Sequence, residues 1–134
     1  MFLEAVLSFA LFFTTALAIL AIFLVLYSIV TPYDDYQLIF QDNNTAAAVS
    51  FGGAILGLCI PLYSALISSV SYVDFLMWAG IAALNQLLFA FIVIRIRGKY
   101  SLEKQIIEGV VPVGIFMAFI SISIGLLNAG SMSY

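Results

Sequence analysis

Residues 3–30 read LEAVLSFALFFTTALAILAIFLVLYSIV, and Glu4 is the one charged side chain in that stretch. A helix needs roughly 20 apolar residues to cross a hydrocarbon core of about 30 Å, and this run is long enough. No water is available in such a core, so backbone N–H and C=O groups must pair within their own segment, which selects a helix. Ala16-Leu17-Ala18 resembles a signal-peptide cleavage site. No basic segment precedes it, however, and the apolar run continues to Val30, so the segment reads as a retained helix.

Three more apolar runs follow, over about residues 45–70, 73–94 and 110–127 or slightly beyond. Each reaches or approaches the spanning length, whereas a transmembrane barrel would need short alternating segments. The expected fold is an all-α membrane protein with four transmembrane helices. Composition agrees. The 134 residues are 65% hydrophobic and 8% charged, with a mean hydropathy of +1.22, whereas soluble domains are about half apolar and about a quarter charged. Lipid must therefore be the solvent for most of the chain, and the length suits a single transmembrane domain, residues 1–134. A net charge of −3 argues against nucleic acid as a partner. The single Cys59 excludes an internal disulfide and sits in an apolar run, as a small buried hydrophobe would. Histidine, the commonest metal ligand and general base, is absent.

The connection 31–44 carries Asp34, Asp35 and Asp42 but no base, and Asp42-Asn43-Asn44-Thr45 offers caps for the second long helix. The segment 68–72 is short and implies a tight antiparallel hairpin. The connection 95–109 holds all four bases: Arg95, Arg97, Lys99 and Lys104. There Ser101 can cap a short amphipathic segment whose Leu102, Ile106 and Ile107 face the membrane surface. Lysine and arginine stay on the cytoplasmic side, so 95–109 is expected there. The connection 31–44 lies two crossings away and shares that side, leaving both termini in the periplasm.

A shift of about 64 positions lays the second half of the chain on the first. Tyr36 meets Tyr100, Val49 meets Val113, Ala54 meets Ala118 and Ala65 meets Ala129. A stripe of small residues supports the match: Gly53, Gly57, Pro61, Ala65 and Ser69 in one helix, and Ser121, Gly125, Ala129 and Ser133 in the other. Residues four apart share a helix face, and small faces let backbones approach closely in lipid. The expected organisation is two tandem helical hairpins, a parallel internal repeat with units of about 1–70 and 71–134. Pro61, inside the second long helix, is expected to kink it.

The segment Asn44-Thr-Ala-Ala-Ala-Val-Ser-Phe-Gly-Gly-Ala-Ile-Leu-Gly, followed by Pro61-Leu62 and Ser68-Ser69, resembles the YjfL-like family of small bacterial inner-membrane proteins, a domain of unknown function. The resemblance covers nearly the whole chain. The second unit departs from the pattern, with Glu108-Gly109 standing where Asn44-Thr45 does and Pro112 replacing Ala48. What the resemblance implies is an inner-membrane location, the paired-hairpin layout, and an association with envelope stress or membrane maintenance.

Few residues could carry chemistry. Asn85 and Gln86 lie in the middle of the third long helix, and Thr14 and Thr15 in the first. They could line a polar path, or simply make hydrogen bonds between helices. The acids sit near helix ends, and Glu108 is expected to begin the fourth long helix, where the helix dipole favours a carboxylate. A central acid would be a functional pointer, and there is none. This departs from the small multidrug transporters, which rely on a membrane-embedded glutamate. No nucleophile-and-base set, zinc-ligand spacing or phosphate loop is present, so neither enzyme activity nor a cofactor is expected. The leading expectation is a homo-oligomeric scaffold or partner subunit in contact with membrane lipid. The alternative is a subunit of a small ion channel or transporter with a path near Asn85 and Gln86. The acidic and basic connections could also dock a cytoplasmic or membrane protein partner.

Overall fold

The computed structural model describes residues 1–96 and 101–132. Arg97, Lys99, Tyr100 and Ser133, singled out above, lie outside the described residues. The described residues form α1 (Phe2–Val30), α2 (Asp35–Phe40), α3 (Thr45–Ser68), α4 (Tyr72–Ile94), α5 (Leu102–Ile107) and α6 (Val111–Ser131). Four of these, α1, α3, α4 and α6, are long and apolar enough to cross a membrane. They fall on the four apolar runs, with α6 running slightly beyond Leu127, to Ser131.

Local chemistry sets the boundaries. The Asn44 side chain accepts from the Ala47 N–H at 3.0 Å and starts α3. Ser71 Oγ accepts from the Asp74 N–H at 3.1 Å, and Asp74 Oδ2 accepts from the Val70 N–H at 3.1 Å. This exchange closes the link 69–71 between α3 and α4 in the manner of a capping box. In α6, Pro112 occupies the first turn, where a missing N–H costs nothing. Pro61 lies within α3, and the helix continues through it to Ser68.

The two short helices depart from expectation. The connection 31–44 is not all loop. Asp34 accepts from the Gln37 N–H at 3.1 Å and starts α2, which turns Asp35 and Leu38 inward. Ser101 caps α5 as expected, accepting from the Lys104 N–H at 3.3 Å. Its Ile106, however, is completely buried against the bundle and does not face the membrane surface; Ile107 is the exposed member. Ile106 plugs the gap among Leu38, Ala46, Ala47, Ile94 and Met117, so the short helix closes one end of the core.

That end, carrying α2 and α5, is the loop end. The opposite hairpin end carries the link 69–71 and both ends of the described chain. Three apolar clusters stack between them. Leu38, Ala46, Ala47, Ile94, Ile106 and Met117 lie at the loop end. Phe23, Tyr27, Ala54 and Leu58 lie in the middle, and Ala16, Leu62, Ala65, Phe75 and Ala79 at the hairpin end. The central helix is α3: half of its most apolar stretch is buried, against 11% of that in α1.

The tightest pairing is between α3 and α6, which run parallel. A Cβ on Gly53 would overlap Ala118, one on Gly57 the Ser121 carbonyl, one on Gly114 the backbone of Ala46, and one on Gly125 the Gly57 carbonyl. Gly53, Gly57, Pro61 and Ala65 are all buried on α3. On α6 the buried face is Gly114, Met117, Ala118, Gly125 and Asn128, with Ser121 half-buried among them and Ala129 half-buried beside it. This face does not keep the fourfold spacing read from the sequence. At 3.6 residues per turn, a strict step of four rotates off the contact line, so the contact face alternates steps of four and three.

Gly125→Leu is expected to force α6 off α3 and destabilise the bundle by about 1–3 kcal/mol, the usual range for overpacking. Gly52→Ala, where a Cβ meets open space, is expected to stabilise it by about 0.5–1 kcal/mol through helix propensity. Thermal unfolding of the two variants in one detergent should place their midpoints on opposite sides of the parent.

Candidate functional site

Polar side chains at membrane depth must find partners within the protein. Gln86, on the inward face of α4 with Ala79 and Ala82, is 5% exposed, and Asn128 of α6 is 8% exposed. Asn128 Nδ2 donates to Gln86 Oε1 at 3.3 Å and to the Ala82 carbonyl at 3.1 Å. Gln86 Nε2 reaches the Ser121 carbonyl at 3.4 Å, in space left by Gly57. The two amides therefore bridge α4 and α6 inside the bundle.

The other sequence candidates are not gathered around this bridge. Asn85, one residue from Gln86, turns about 100° away on the helix and lines a groove between α4 and α6. It is half-buried, and its amide bonds to no described residue. Thr15 Oγ1 donates to the Leu11 carbonyl at 2.7 Å and lies 2.8 Å from the Tyr72 hydroxyl, tying α1 to α4. Thr14 is exposed on the outside of α1.

Glu108 stands elsewhere than expected. It ends α5 and does not begin α6. Gly109 adopts φ of 80°, the Gly109 N–H donates to the Ile106 carbonyl at 3.0 Å, and the Val110 N–H donates to the Gln105 carbonyl at 3.0 Å. This is a Schellman closure, which requires a left-handed residue and so uses glycine. Glu108 is left exposed, 3.8 Å from the Lys104 ammonium. Asn44 has the opposite environment. It is buried, and besides capping α3 its Nδ2 donates to the Ile106 carbonyl at 2.7 Å, fastening α5 onto α3.

At the loop end lies a polar group that the sequence reading passed over. Asp35 is only 2% exposed, and Thr31 Oγ1 donates to its Oδ2 at 2.6 Å. Burial, reinforced by the neighbouring Asp34 and opposed by the Thr31 hydrogen bond, pushes the Asp35 carboxyl up to about 6. The adjacent Tyr33 hydroxyl is buried without a hydrogen-bond partner in the described structure, and its burial raises its titration above the ordinary phenol range. Tyr27, one turn before Thr31, is hydrogen-bonded to Ser50 of α3. Arg95 takes no part. Its guanidinium lies 3.9 Å from the centre of the Phe91 ring and donates to the Val30 carbonyl at 3.1 Å.

Two voids accompany these groups. A small, partly open cavity of about 20 Å³ lies among Tyr27, Thr31, Phe89, Gln86, Ser121 and Ile124. The α4/α6 groove, about 450 Å³ and open on the outside of the bundle, is lined by Trp78, Asn85, Phe89, Ile124, Asn128 and neighbours toward the hairpin end. Among the described residues, no group of three His, Cys, Asp or Glu side chains could hold a metal ion.

Four apolar spanning helices around a buried amide pair define a small polytopic α-helical membrane protein. The chain belongs to the family described as Domain of Unknown Function (DUF350), which it matches over residues 1–132. It is 39% identical over 132 residues to the UPF0719 inner membrane protein YjfL of Escherichia coli strain K12, covering 98% of each chain. The counterpart in Escherichia coli O157:H7 matches equally, at 39% over 98% of each chain. This agrees with the family resemblance and with an inner-membrane location. No solved structure matches the chain significantly.

Two expectations follow. Asn44→Ala should destabilise the bundle by about 1–2 kcal/mol, the range for a lost cap, whereas Glu108→Gln should stay within about 0.5 kcal/mol; unfolding in mixed micelles measures both. Asp35 binds its proton more tightly in the docked segment 31–44 than in water. Docking should therefore weaken as pH rises from the ordinary carboxyl value of 3.8 to about 6, and then level off. Hydrogen exchange of residues 31–44 should follow that curve, and Asp35→Asn should flatten it.

Proposed function

We propose that this chain is a non-catalytic inner-membrane protein that assembles with copies of itself, as a scaffold or partner subunit in envelope maintenance or stress response. The observation that supports self-assembly is Asn85. Its amide sits mid-span in a groove that opens toward lipid, without a bond to any described residue. Hydrocarbon offers an amide nothing, and a cross-helix amide bond in membranes contributes roughly 0.6–2 kcal/mol. An amide both donates and accepts, so the same groove on a second copy complements it across a two-fold axis. The internal pairing of Gln86 and Asn128 supports a structural role for these two amides.

Two further elements belong to the same proposal. The long–short–long order of α1–α3 recurs in α4–α6, which supports an origin by duplication of a two-span unit. Arg95 and Lys104 at the loop end support a cytoplasmic position for that end, with both termini in the periplasm. The mass of the particle in mild detergent tests the assembly. The parent is expected to be larger than one chain, and Asn85→Leu is expected to shift it toward the monomer. A strictly monomeric parent would overturn the proposal.

A further inference from the structure

Two spanning helices, α1 and α4, finish at the loop end, at Val30 and Ile94. Arg95 follows α4 directly and is exposed. Its guanidinium is held in two ways. It lies 3.9 Å over the centre of the Phe91 ring, a cation–π contact. Its Nη1 donates to the Val30 carbonyl at 3.1 Å and to the Phe91 carbonyl at 3.5 Å. The last carbonyls of a helix have no partner within it, so Arg95 serves the end of α1 while ending α4, and ties the two together. The residues beneath it face outward and are apolar: Ile29 is 72% exposed, Phe91 47% and Ile92 46%.

A guanidinium carries five N–H donors, two of them on Nη1. Both bonds to described residues leave from Nη1. The Nε–H and the two donors of Nη2 are left, and no described residue accepts from them. The Nε–H and one Nη2–H lie parallel along one edge, the fork that grips two phosphate oxygens at once. Among the described residues Arg95 forms no ion pair; Glu108 is paired with Lys104. Residues 97–100 read Arg-Gly-Lys-Tyr and add no side-chain carboxylate. We infer that the Nε/Nη2 edge of Arg95 binds the phosphodiester of a membrane phospholipid whose acyl chains lie along Ile29, Phe91 and Ile92.

Position selects a lipid over dissolved phosphate. Arg95 stands where the spanning helices end, and Phe91 and Ile92 lie within one turn before it on α4. A phospholipid has the same vertical order, a phosphate at the boundary and hydrocarbon beneath. Inorganic phosphate would meet the fork alone. Basic groups between spanning helices recur as headgroup sites. The occupant also has work to do. Of the four spanning helices α1 is the least buried, with 11% of its most apolar stretch inside the bundle. A headgroup on the outer edge of the guanidinium keeps Nη1 turned onto Val30, so the bound lipid holds the end of α1 against α4.

The test uses the full chain in dodecyl maltoside and counts lipid retained per chain by native mass spectrometry. The parent is expected to retain added dioleoyl phosphatidylglycerol and to release dioleoylglycerol, which has the same chains and no phosphate. Arg95→Lys keeps the charge and lacks the fork, so retention should weaken about tenfold, the cost of one charge-assisted hydrogen bond. Arg95→Leu should fall to the dioleoylglycerol level, and Lys104→Leu should match the parent. If the leucine variant misfolds, the lysine variant and the parent decide. Phosphatidylglycerol held no better than dioleoylglycerol, retention unchanged in Arg95→Lys, an equal loss in Lys104→Leu, or inorganic phosphate displacing the lipid would each overturn the site. Lipid is counted per chain whatever the mass of the particle, so the site and self-assembly stand or fall separately.

Discussion

The architecture depends on how closely the backbones of α3 and α6 approach. Lipid tails are as apolar as leucine, so no hydrophobic effect pulls two spanning helices together, and van der Waals contact must do it. At Gly53, Gly57, Gly114 and Gly125 any side chain would strike the opposing helix. Every other placement follows from that contact. With α6 held against one side of α3, α4 packs against both, and α1 is left at the edge, mostly facing lipid. Gly57 also makes room for the Gln86 amide between the helices.

Polar groups are distributed by the same constraint. Asn44 serves α3 with its oxygen and α5 with its nitrogen, so one buried amide settles two helix ends. Gln86 and Asn128 satisfy each other and two backbone carbonyls. Asp35 has a single hydroxyl donor and no described base, which makes it the least compensated charge in the bundle. Asn85 is the complementary case, an amide with room and no described bond. Asn85 lies on the groove, and Asp35 is bonded to Thr31, which lines the smaller cavity.

Much of the fold was legible because lipid imposes a coarse rule. Long apolar runs must be helices, and the four runs are the four long helices. Caps at Asn44 and Ser101 were legible for local reasons, since cap chemistry spans three residues. Facing was harder. Asn85 and Gln86 stand together in sequence and diverge in space; the step from Ala79 to Ala82 to Gln86 identifies the inward residue once the burial of α4 is known. Asn128 was overlooked because a stripe counted strictly in fours leads to Ala129. Asp35 and Ile106 could not have been placed from sequence, since their burial depends on where a six-residue helix lands on a distant end of the bundle. Glu108 was misplaced because Gly109, read as part of a helix start, is the left-handed residue that stops the preceding one.

The helices also differ in length. With 29 residues, α1 is about 43 Å long at 1.5 Å per residue, well beyond a hydrocarbon core of about 30 Å. By contrast α6 has 21 residues, close to a match. The surplus in α1 must be absorbed by tilt, by thickened bilayer around it, or by end turns resting among the headgroups. The protein therefore presents different hydrophobic heights on its two flanks. The surrounding bilayer must change thickness around its perimeter, so membrane composition acts mechanically on the one helix that the rest of the bundle holds most loosely.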